Sequence, residues 1–315
     1  MQFGKKALPV AENVKAECVS PISKPRILCS RRFSNGLYFR GQQMERIALY
    51  NDSFQNWKTH DTPKAQLILT DIPYQLGNNM YGSNPVWYKG GDNSNGESEL
   101  AGKQAFDTDT KAGFRISEFF HFCSNLLKKE PKGRNEAGCM ILFCAFEQIE
   151  ELKHYAKQYG FEHSQVFIFY KNYSAQVLKA NMRAVGNFET AILFYRDKLP
   201  KFRNNGKMVF TCREWIEDRG IPKIHPTQKP VALLEEIISL YTDIDDVVID
   251  CCAGSGTTLL ASANLGRRAY GFELKREYVK GFYEKLLPLA QENMFIQAER
   301  EEKKIQIQSL FGGNE

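Results

Sequence analysis

Residues 246–258 have the sequence DVVIDCCAGSGTT, a pattern typical of a strand, a glycine-rich turn and a helix in direct succession. Glycines let the backbone approach a ligand closely, and the first turn of a helix offers free N–H donors. About 20 residues after the turn, the apolar run 269–272 ends in Glu273, at the spacing expected of an acid that binds ribose hydroxyls. The stretch therefore predicts an α/β fold with a nucleotide-like ligand beside the turn.

Three ligands compete for this turn. A dinucleotide site needs a third glycine, but position 259 is Leu, and a Walker loop needs a lysine that residues 254–258 lack. An adenosyl group without phosphates fits better, because it needs only a tight glycine turn and a ribose acid. A glycine turn that serves packing alone is the remaining alternative.

Strands and helices alternate outward from this stretch. Strands are predicted at 46–50, 67–70, 138–145, 164–170, 190–195, 246–249 and 269–272, and helices at 116–128, 147–159, 231–241, 257–266 and 275–289. Such alternation implies a mainly parallel, doubly wound sheet.

Composition limits the remaining classes of protein. The 315 residues are 43% hydrophobic and 25% charged with a net charge of +5, which is compatible with a polyanionic partner. The eight cysteines form neither a C-x-x-C pair nor a zinc-finger pattern, so buried reduced thiols and no metal site are expected. There is no apolar run of membrane-spanning length and no apolar signal region in residues 1–20, so we expect a cytoplasmic protein that does not bind membranes.

A second informative segment is Asp71-Ile72-Pro73-Tyr74, directly after the apolar run AQLILT at 65–70. The end of a buried strand holds a carboxylate and a carbonyl oxygen at fixed positions beside an aromatic ring. These are the groups needed to hold a planar base and its exocyclic amine. A carboxylate at a strand end is common, so the segment gains weight only together with the glycine turn.

Five segments together resemble the amino-methyltransferases of DNA, the N6-adenine and N4-cytosine group. They are 71–74, similar to D/N/S-P-P-Y; 250–258, similar to D-P-F-x-G-S-G-T; Glu273 followed by Glu277-Tyr278; 47–52, similar to a short strand ending in Gly-Asp; and 225–230, which matches H-P-T-Q-K-P without a change. The catalytic motif precedes the glycine turn, an order that resembles the beta class and counts against glutamine-modifying protein methyltransferases. Ile72 and Cys251-Cys252 depart from the prolines and the phenylalanine of the family pattern.

The resemblance implies a Rossmann-like fold of S-adenosylmethionine-dependent methyltransferases. This fold has a mainly parallel seven-stranded sheet with one antiparallel edge strand and a circularly permuted motif order. It also implies methyl transfer to the exocyclic N6 of adenine in double-stranded DNA, after the base is flipped out of the duplex. Adenine is favoured because many N4-cytosine members carry Ser where this chain has Asp71. The alternatives are an N4-cytosine enzyme, an RNA methyltransferase or a non-catalytic DNA-binding relic.

Residue roles carry over from the resemblance position by position. The catalytic group would be Asp71, Ile72, Pro73 and Tyr74. The group binding S-adenosyl-L-methionine would be Asp52, Ser53, Thr227, Lys229, Asp250, Cys252, Ala253, Gly254, Ser255, Gly256, Thr257 and Glu273. Within it, Lys229 and Thr227 are candidates for the methionine carboxylate, and Asp52 and Ser53 for the cofactor adenine. Basic candidates for DNA contact are Arg183, Lys201, Arg203, Lys207 and Arg213.

The chain divides into five predicted regions. They are a basic N-terminal extension at 1–44, a catalytic half at 45–199 with a mobile loop at 77–113, a target-recognition segment at 200–224, a cofactor-binding half at 225–290 and a charged tail at 291–315. The tail segment 306–311 faintly resembles peptides that dock on bacterial sliding clamps, although local packing is the simpler interpretation. A homodimer is a further candidate assembly. Without a visible nuclease motif, a solitary modification enzyme of bacterial or phage type is favoured.

Overall fold

The computed structural model describes residues 46–74, 113–172, 186–218, 220–225 and 227–290. The predicted extension at 1–44, nearly all of the loop at 77–113, Arg183 and the tail at 291–315 lie outside these residues.

One eight-stranded sheet organises the described part of the chain. Its strands are β1 (Ile47–Tyr50), β2 (Leu67–Asp71), β3 (Cys139–Cys144), β4 (His163–Tyr170), β5 (Phe188–Tyr195), β6 (Cys212–Glu214), β7 (Val247–Asp250) and β8 (Arg268–Phe272). They lie in the order β1-β8-β7-β2-β3-β5-β4-β6. All neighbouring strands pair in parallel except β5, which is antiparallel to β3 and β4. The predicted α/β class and mainly parallel sheet are confirmed.

Two details of the sheet differ from the prediction. The antiparallel strand β5 lies between β3 and β4 instead of at the edge, because its apolar residues Ala191–Phe194 are buried and need a paired neighbour on each side. The eighth strand, β6, has only three residues, CRE, and takes the edge beside β4. Short polar strands are suited to an edge, where half of the backbone groups stay unpaired.

Helices cover both faces of the sheet. They are α1 (Ile116–Leu126), α2 (Ile149–Gln158), α3 (Val231–Tyr241), α4 (Thr257–Asn264) and α5 (Arg276–Gly281), with a π-helical turn at Phe282–Leu286 and 3₁₀ turns at Phe54–Thr59 and Phe146–Gln148. Successive residues of β2 serve opposite cores, since Leu67 and Leu69 pack with α3 and α4, whereas Ile68 packs with α1 and α2. The predicted helix 275–289 is confirmed as one continuous helical segment over 276–290, which contains the π-helical turn. None of the described helices combines the length and apolar character needed to cross a membrane.

The parallel strands place the predicted motifs at one edge of the sheet. The carboxyl ends of β1, β2, β7 and β8 lead into Asn51, Ile72, Cys251 and Glu273 respectively. Ligands of open α/β sheets bind at such an edge. The opposite edge of the sheet is formed by the amino ends of these parallel strands. A cluster of ion pairs, described below, lies there, just before β3 and β7.

Candidate active site

Asp250, the last residue of β7, holds the glycine turn in place through hydrogen bonds. Its Oδ1 accepts hydrogen bonds from Thr70 Oγ1 at 2.7 Å and from the Cys252 amide at 3.1 Å. Burial raises the pKa of Asp250 to about 6, although hydrogen bonds from Thr258 and Thr70 act in the opposite direction. Asp250 therefore joins the turn to the catalytic strand β2 and fixes the position of both.

The two glycines of the turn have different reasons to be glycine. Gly256 has a φ of +81°, and a Cβ at this position would lie 2.5 Å from the Phe282 ring. Gly254 has a φ of +53°, but the nearest atom to its Cβ position would be 3.9 Å away, on the His225 ring. Packing therefore requires Gly256, whereas Gly254 keeps space open beside the turn.

Glu273 closes this half of the site from the end of β8. Its Oε2 accepts the Gly254 amide and its Oε1 accepts the Lys275 amide, both at 2.8 Å. Asn51 Nδ2 donates to the Glu273 carbonyl at 3.0 Å, which ties the end of β1 to the same point. An adenosyl group fits these donors and acceptors, because it needs a ribose acid and a close turn but no phosphate-binding lysine.

Asp52 and Ser53 follow β1 directly and form a compact polar turn. Asp52 Oδ1 accepts the Ser53 amide at 2.7 Å, and its Oδ2 lies 2.8 Å from His60 Nε2. Hydrogen bonds from His60 and Asn56 lower the pKa of Asp52. The His60 ring stacks on Tyr50 with centroids 4.2 Å apart. Asp52 and Ser53 therefore form the connection between β1 and the 3₁₀ turn that follows.

The tetrapeptide 71–74, which is predicted to be catalytic, begins at the last residue of β2, at the same edge of the sheet. Lys229 Nζ lies 2.6 Å from Asp71 Oδ2 and 2.8 Å from Glu189 Oε2. Burial raises the pKa of Asp71, and the Lys229 charge opposes that shift. The Asp71 Oδ1 atom is buried without a regular hydrogen bond, and the Tyr74 hydroxyl lies beside the carboxylate. Asp71 thus has one buried oxygen with remaining capacity to accept a hydrogen bond.

The position of Lys229 adds a contact that the sequence did not predict. Lys229 is predicted to bind the methionine carboxylate, and its ammonium group contacts the Asp71 carboxylate from the extended residues just before α3. Thr227 donates from its amide to His225 Nδ1 at 3.2 Å. Burial, with the charges of Lys275 and Lys229, lowers the pKa of His225 to about 3, so this ring is neutral at physiological pH.

A family model described as DNA methylase matches residues 65–284, which include both halves of this site. The chain belongs to this DNA methylase family. It is 26% identical over 255 residues to the Type II methyltransferase M2.DpnII of Streptococcus pneumoniae, covering 77% of this chain and 89% of that relative. It is 25% identical over 257 residues to the DNA adenine methyltransferase YhdJ of Escherichia coli K12, covering 74% of this chain and 79% of the relative.

Solved structures show a similar fold. The M1.HpyAVI–SAM complex superposes with a TM-score of 0.53 at 23% identity, covering 76% of this chain and 98% of that one. The cytosine-N4-specific PvuII DNA methyltransferase gives a TM-score of 0.54 at 17% identity, covering 75% of this chain and 84% of that one. At these identities the likeness concerns the fold alone.

The structure also adds site residues that sequence reasoning missed in this DNA methylase. Gln148 Nε2 donates to the Pro73 carbonyl at 3.0 Å, while its Oε1 accepts the Ala145 amide at 3.0 Å. Gln148 thereby holds the tetrapeptide against the end of β3. Glu189 was also missed, although a single acid near the start of an otherwise apolar strand was a usable signal.

Two of the predicted DNA contacts have other partners. Lys201 Nζ lies 2.7 Å from Asp243 and 2.6 Å from Asp246, and Arg203 forms ion pairs with Asp243 and Glu136. These acids precede β3 and β7, so the cluster lies at the edge of the sheet opposite Asp71. The expectation that Lys201 and Arg203 contact DNA is therefore not supported by their position, because local acids already neutralise both charges.

The other basic candidates are less constrained by the fold. Arg213 on β6 pairs with Glu236 of α3. Lys207 is exposed in the loop before β6. Arg183 lies outside the described residues.

No group of three or more side chains that could hold a metal ion occurs in the described part of the chain.

Proposed function

We propose that this DNA methylase transfers a methyl group from S-adenosyl-L-methionine to the exocyclic N6 of adenine in double-stranded DNA. The observation that carries the proposal is the position of Asp71. Its carboxylate lies at the end of β2, beside Tyr74 and one strand away from the glycine turn at the end of β7. An amine held by Asp71 would therefore face a ligand held by Glu273 and the turn.

The residues of the tetrapeptide match the needs of the reaction. An exocyclic amine is a poor nucleophile, because its lone pair is delocalised into the ring. Asp71 Oδ1 accepts one N–H, and the Ile72 carbonyl accepts the other, since Pro73 already accepts from Gln148. Two such bonds favour a pyramidal nitrogen and direct its lone pair away from the ring.

The electron balance of the transfer is simple. S-adenosyl-L-methionine supplies a methyl group on a sulfonium centre; the N–C bond forms as the C–S bond breaks, and the sulfur keeps the electron pair. The nitrogen becomes cationic and releases one proton to Asp71 or to water. Tyr74 stacks on the flipped base, which contributes about 1–3 kcal/mol by analogy with base–aromatic stacking.

The cofactor half supports an adenosyl ligand in particular. Glu273 is placed to accept both ribose hydroxyls, and Gly254 leaves space for close approach of the adenosyl group. Ser255 and Thr257 follow within the turn and at the start of α4, where they would line the methionine tail. Cys252, in place of the family phenylalanine, gives a smaller wall beside the adenine.

Adenine is favoured over cytosine by Asp71 itself and by similarity to the DNA adenine methyltransferase YhdJ. Nucleoside analysis after incubation with labelled cofactor distinguishes the alternatives, and N6-methyladenine in DNA is the expected product. N4-methylcytosine as the sole product, or label in RNA alone, would overturn the adenine assignment. Bound cofactor without transfer to any DNA would favour the non-catalytic alternative.

We further propose that residues 200–224 read the target sequence. Lys207 and Arg213 lie in or beside β6, the edge strand next to β4. Phosphate contacts from such residues would position the duplex without reading its sequence. Mapping methylated bases in the DNA of an expressing host that lacks its own methylases would report the base, its position and the recognition site together.

A further inference from the structure

A chain of four alternating charges begins at the catalytic carboxylate and runs into the protein. Asp71 lies 2.6 Å from Lys229, Lys229 lies 2.8 Å from Glu189, and Glu189 lies 2.5 Å from Lys171. The four side chains are 29%, 9%, 19% and 13% exposed respectively. The formal charges cancel, which lets four ions occupy a largely buried position.

Aromatic rings surround the two cations of this chain. Lys229 Nζ lies 5.1 Å from the centroid of Phe143 and 5.8 Å from that of Trp215. Lys171 Nζ lies 4.3 Å from the Trp215 centroid. The rings stabilise the ammonium groups by cation–π attraction and exclude water, so the charges act on one another strongly.

Glu189 is held in place by a rigid element. It belongs to β5, where the next residue, Thr190, pairs with Cys144 of β3 and donates to the Cys144 carbonyl at 2.6 Å. Burial acts to raise the pKa of Glu189, but the charges of Lys229 and Lys171 outweigh it and lower that pKa. Glu189 is therefore an ionised carboxylate at a fixed position, and Lys229 lies between it and Asp71.

We propose that Glu189 is a positioning residue for methyl transfer, which acts through Lys229 to set the orientation and charge of the Asp71 carboxylate. The inference rests on the proposed function of Asp71. Glu189 shares the Lys229 ammonium with Asp71, so that Lys229 holds one oxygen of Asp71 in place and the other oxygen remains for the amine. With a single carboxylate partner, Lys229 would bind Asp71 more tightly and compete with the amine.

Removing either partner should shift the pKa of Asp71, in opposite directions. Glu189→Gln removes a negative charge that disfavours ionised Asp71, so the pKa of Asp71 falls. Lys229→Met leaves Asp71 and Glu189 without the cation between them, so one of them retains a proton and the pKa of Asp71 rises. The other titratable groups that interact with these residues are Lys171, Tyr74, Cys144, His225 and Asp250.

A titration of the full chain without cofactor tests the inference independently of activity. Carboxyl-carbon NMR with labelled aspartate, assigned with Asp71→Asn, reports the pKa of Asp71 in each variant. The matched control is Glu136→Gln, which removes another ion-paired glutamate at the opposite edge of the sheet and should leave the pKa of Asp71 unchanged. An unchanged pKa in both test variants, or shifts in the same direction, would overturn the proposal.

Kinetics give a second readout, in which the position of the acid limb of the pH–rate profile does not depend on the fraction of enzyme that is folded. Glu189→Gln should lower kcat by about 10-fold or more with the KM for cofactor nearly unchanged, because a displaced group slows the chemical step. The acid limb of its pH–rate profile should move to lower pH. If Glu189→Gln does not fold, Lys171→Met acts on Glu189 from the other side and should raise the pKa of Asp71.

The outcomes separate this inference from the proposed function. Wild-type protein that transfers no methyl group would refute the function, whereas the titration would still decide whether Glu189 controls Asp71. Normal kcat and an unmoved acid limb in folded Glu189→Gln would refute the positioning role and leave the function intact.

Discussion

The ammonium group of Lys229 lies 2.6 Å from the carboxylate of Asp71, although the two residues are 158 positions apart in the chain. The contact joins the segment 225–230 to the catalytic strand β2. It gives Lys229 a carboxylate partner that the family resemblance alone did not predict. The proposed base-binding half of the site is therefore built from two segments that are distant in the sequence.

Substitution of Asp71 should remove the chemical step and spare the cofactor half. We expect Asp71→Ala to lower kcat by roughly 10²- to 10⁴-fold, the range associated with a positioned acid–base group. Asp71→Asn keeps one acceptor oxygen and should retain more activity than Ala. The dissociation constant of the cofactor, measured by calorimetry, should change by no more than about 3-fold. A 10- to 100-fold change would correspond to about 1.4–2.8 kcal/mol and would mean that Asp71 contributes to cofactor binding. A kcat of wild-type size in Asp71→Ala would contradict the assigned role.

Gln148→Ala should impair both stability and catalysis. The substitution leaves the Ala145 amide and the Pro73 carbonyl without their partner, at a cost of about 1–3 kcal/mol in the free energy of unfolding. Loss of its hold on Pro73 should also lower kcat, by roughly 10- to 100-fold. Gln158→Ala on the exposed end of α2 is the matched control, and chemical denaturation with single-turnover kinetics measures both effects.

The sequence predicted those features of the fold and the site that depend on a short local pattern of residues. The glycine turn, the acid after β8 and the alternation of strands and helices all followed from local pattern, and the structure confirms the α/β class and the mainly parallel sheet. The partners of Lys229 could not be predicted, because they depend on how β5 is inserted between β3 and β4. The ion pairs of Lys201 could not be predicted for a related reason, since a basic side chain in an irregular segment does not reveal the acids that the fold brings to it.

The two turn glycines should respond differently to alanine. Gly256→Ala places a Cβ against the Phe282 ring in a left-handed backbone conformation, so we expect a loss of at least about 2 kcal/mol in the free energy of unfolding. Gly254→Ala meets only ordinary contacts and should lose about 1 kcal/mol from backbone strain. Its larger effect should be on cofactor affinity, which thermal shift with and without cofactor would detect. Equal destabilisation by both variants would contradict this division of roles.

Lys201 and Lys207 form a second matched pair. Lys201→Met leaves Asp243 and Asp246 without their shared cation and should cost on the order of 3 kcal/mol in stability, with DNA affinity unchanged in the folded protein. Lys207→Met is exposed, so its stability should change by no more than about 0.5 kcal/mol. If residues 200–224 contact phosphates, Lys207→Met should also weaken DNA binding and reduce the salt slope by about 1. The reverse pattern of DNA affinities would place the interface at the opposite edge of the sheet.

Stability should depend on acid pH through two residues whose effects oppose each other. The pKa of His225 is lowered to about 3 in the folded protein, so protons favour the unfolded chain below about pH 6.5, at about 1.4 kcal/mol per pH unit. The pKa of Asp250 is raised to about 6, so between about pH 6 and pH 4 protons favour the folded chain by a similar slope. The two slopes should nearly cancel in that interval.

Single variants would separate the two contributions. His225→Asn keeps an acceptor for the Thr227 amide and removes the first slope, so this variant should become more stable as the pH falls from 6 to 4, relative to wild type. Asp250→Asn keeps an acceptor for Thr70 and removes the second slope, so it should lose stability faster than wild type over the same interval. Urea denaturation at half-unit pH steps measures both. Parallel stability curves for the two variants would show that neither buried group titrates as its surroundings require.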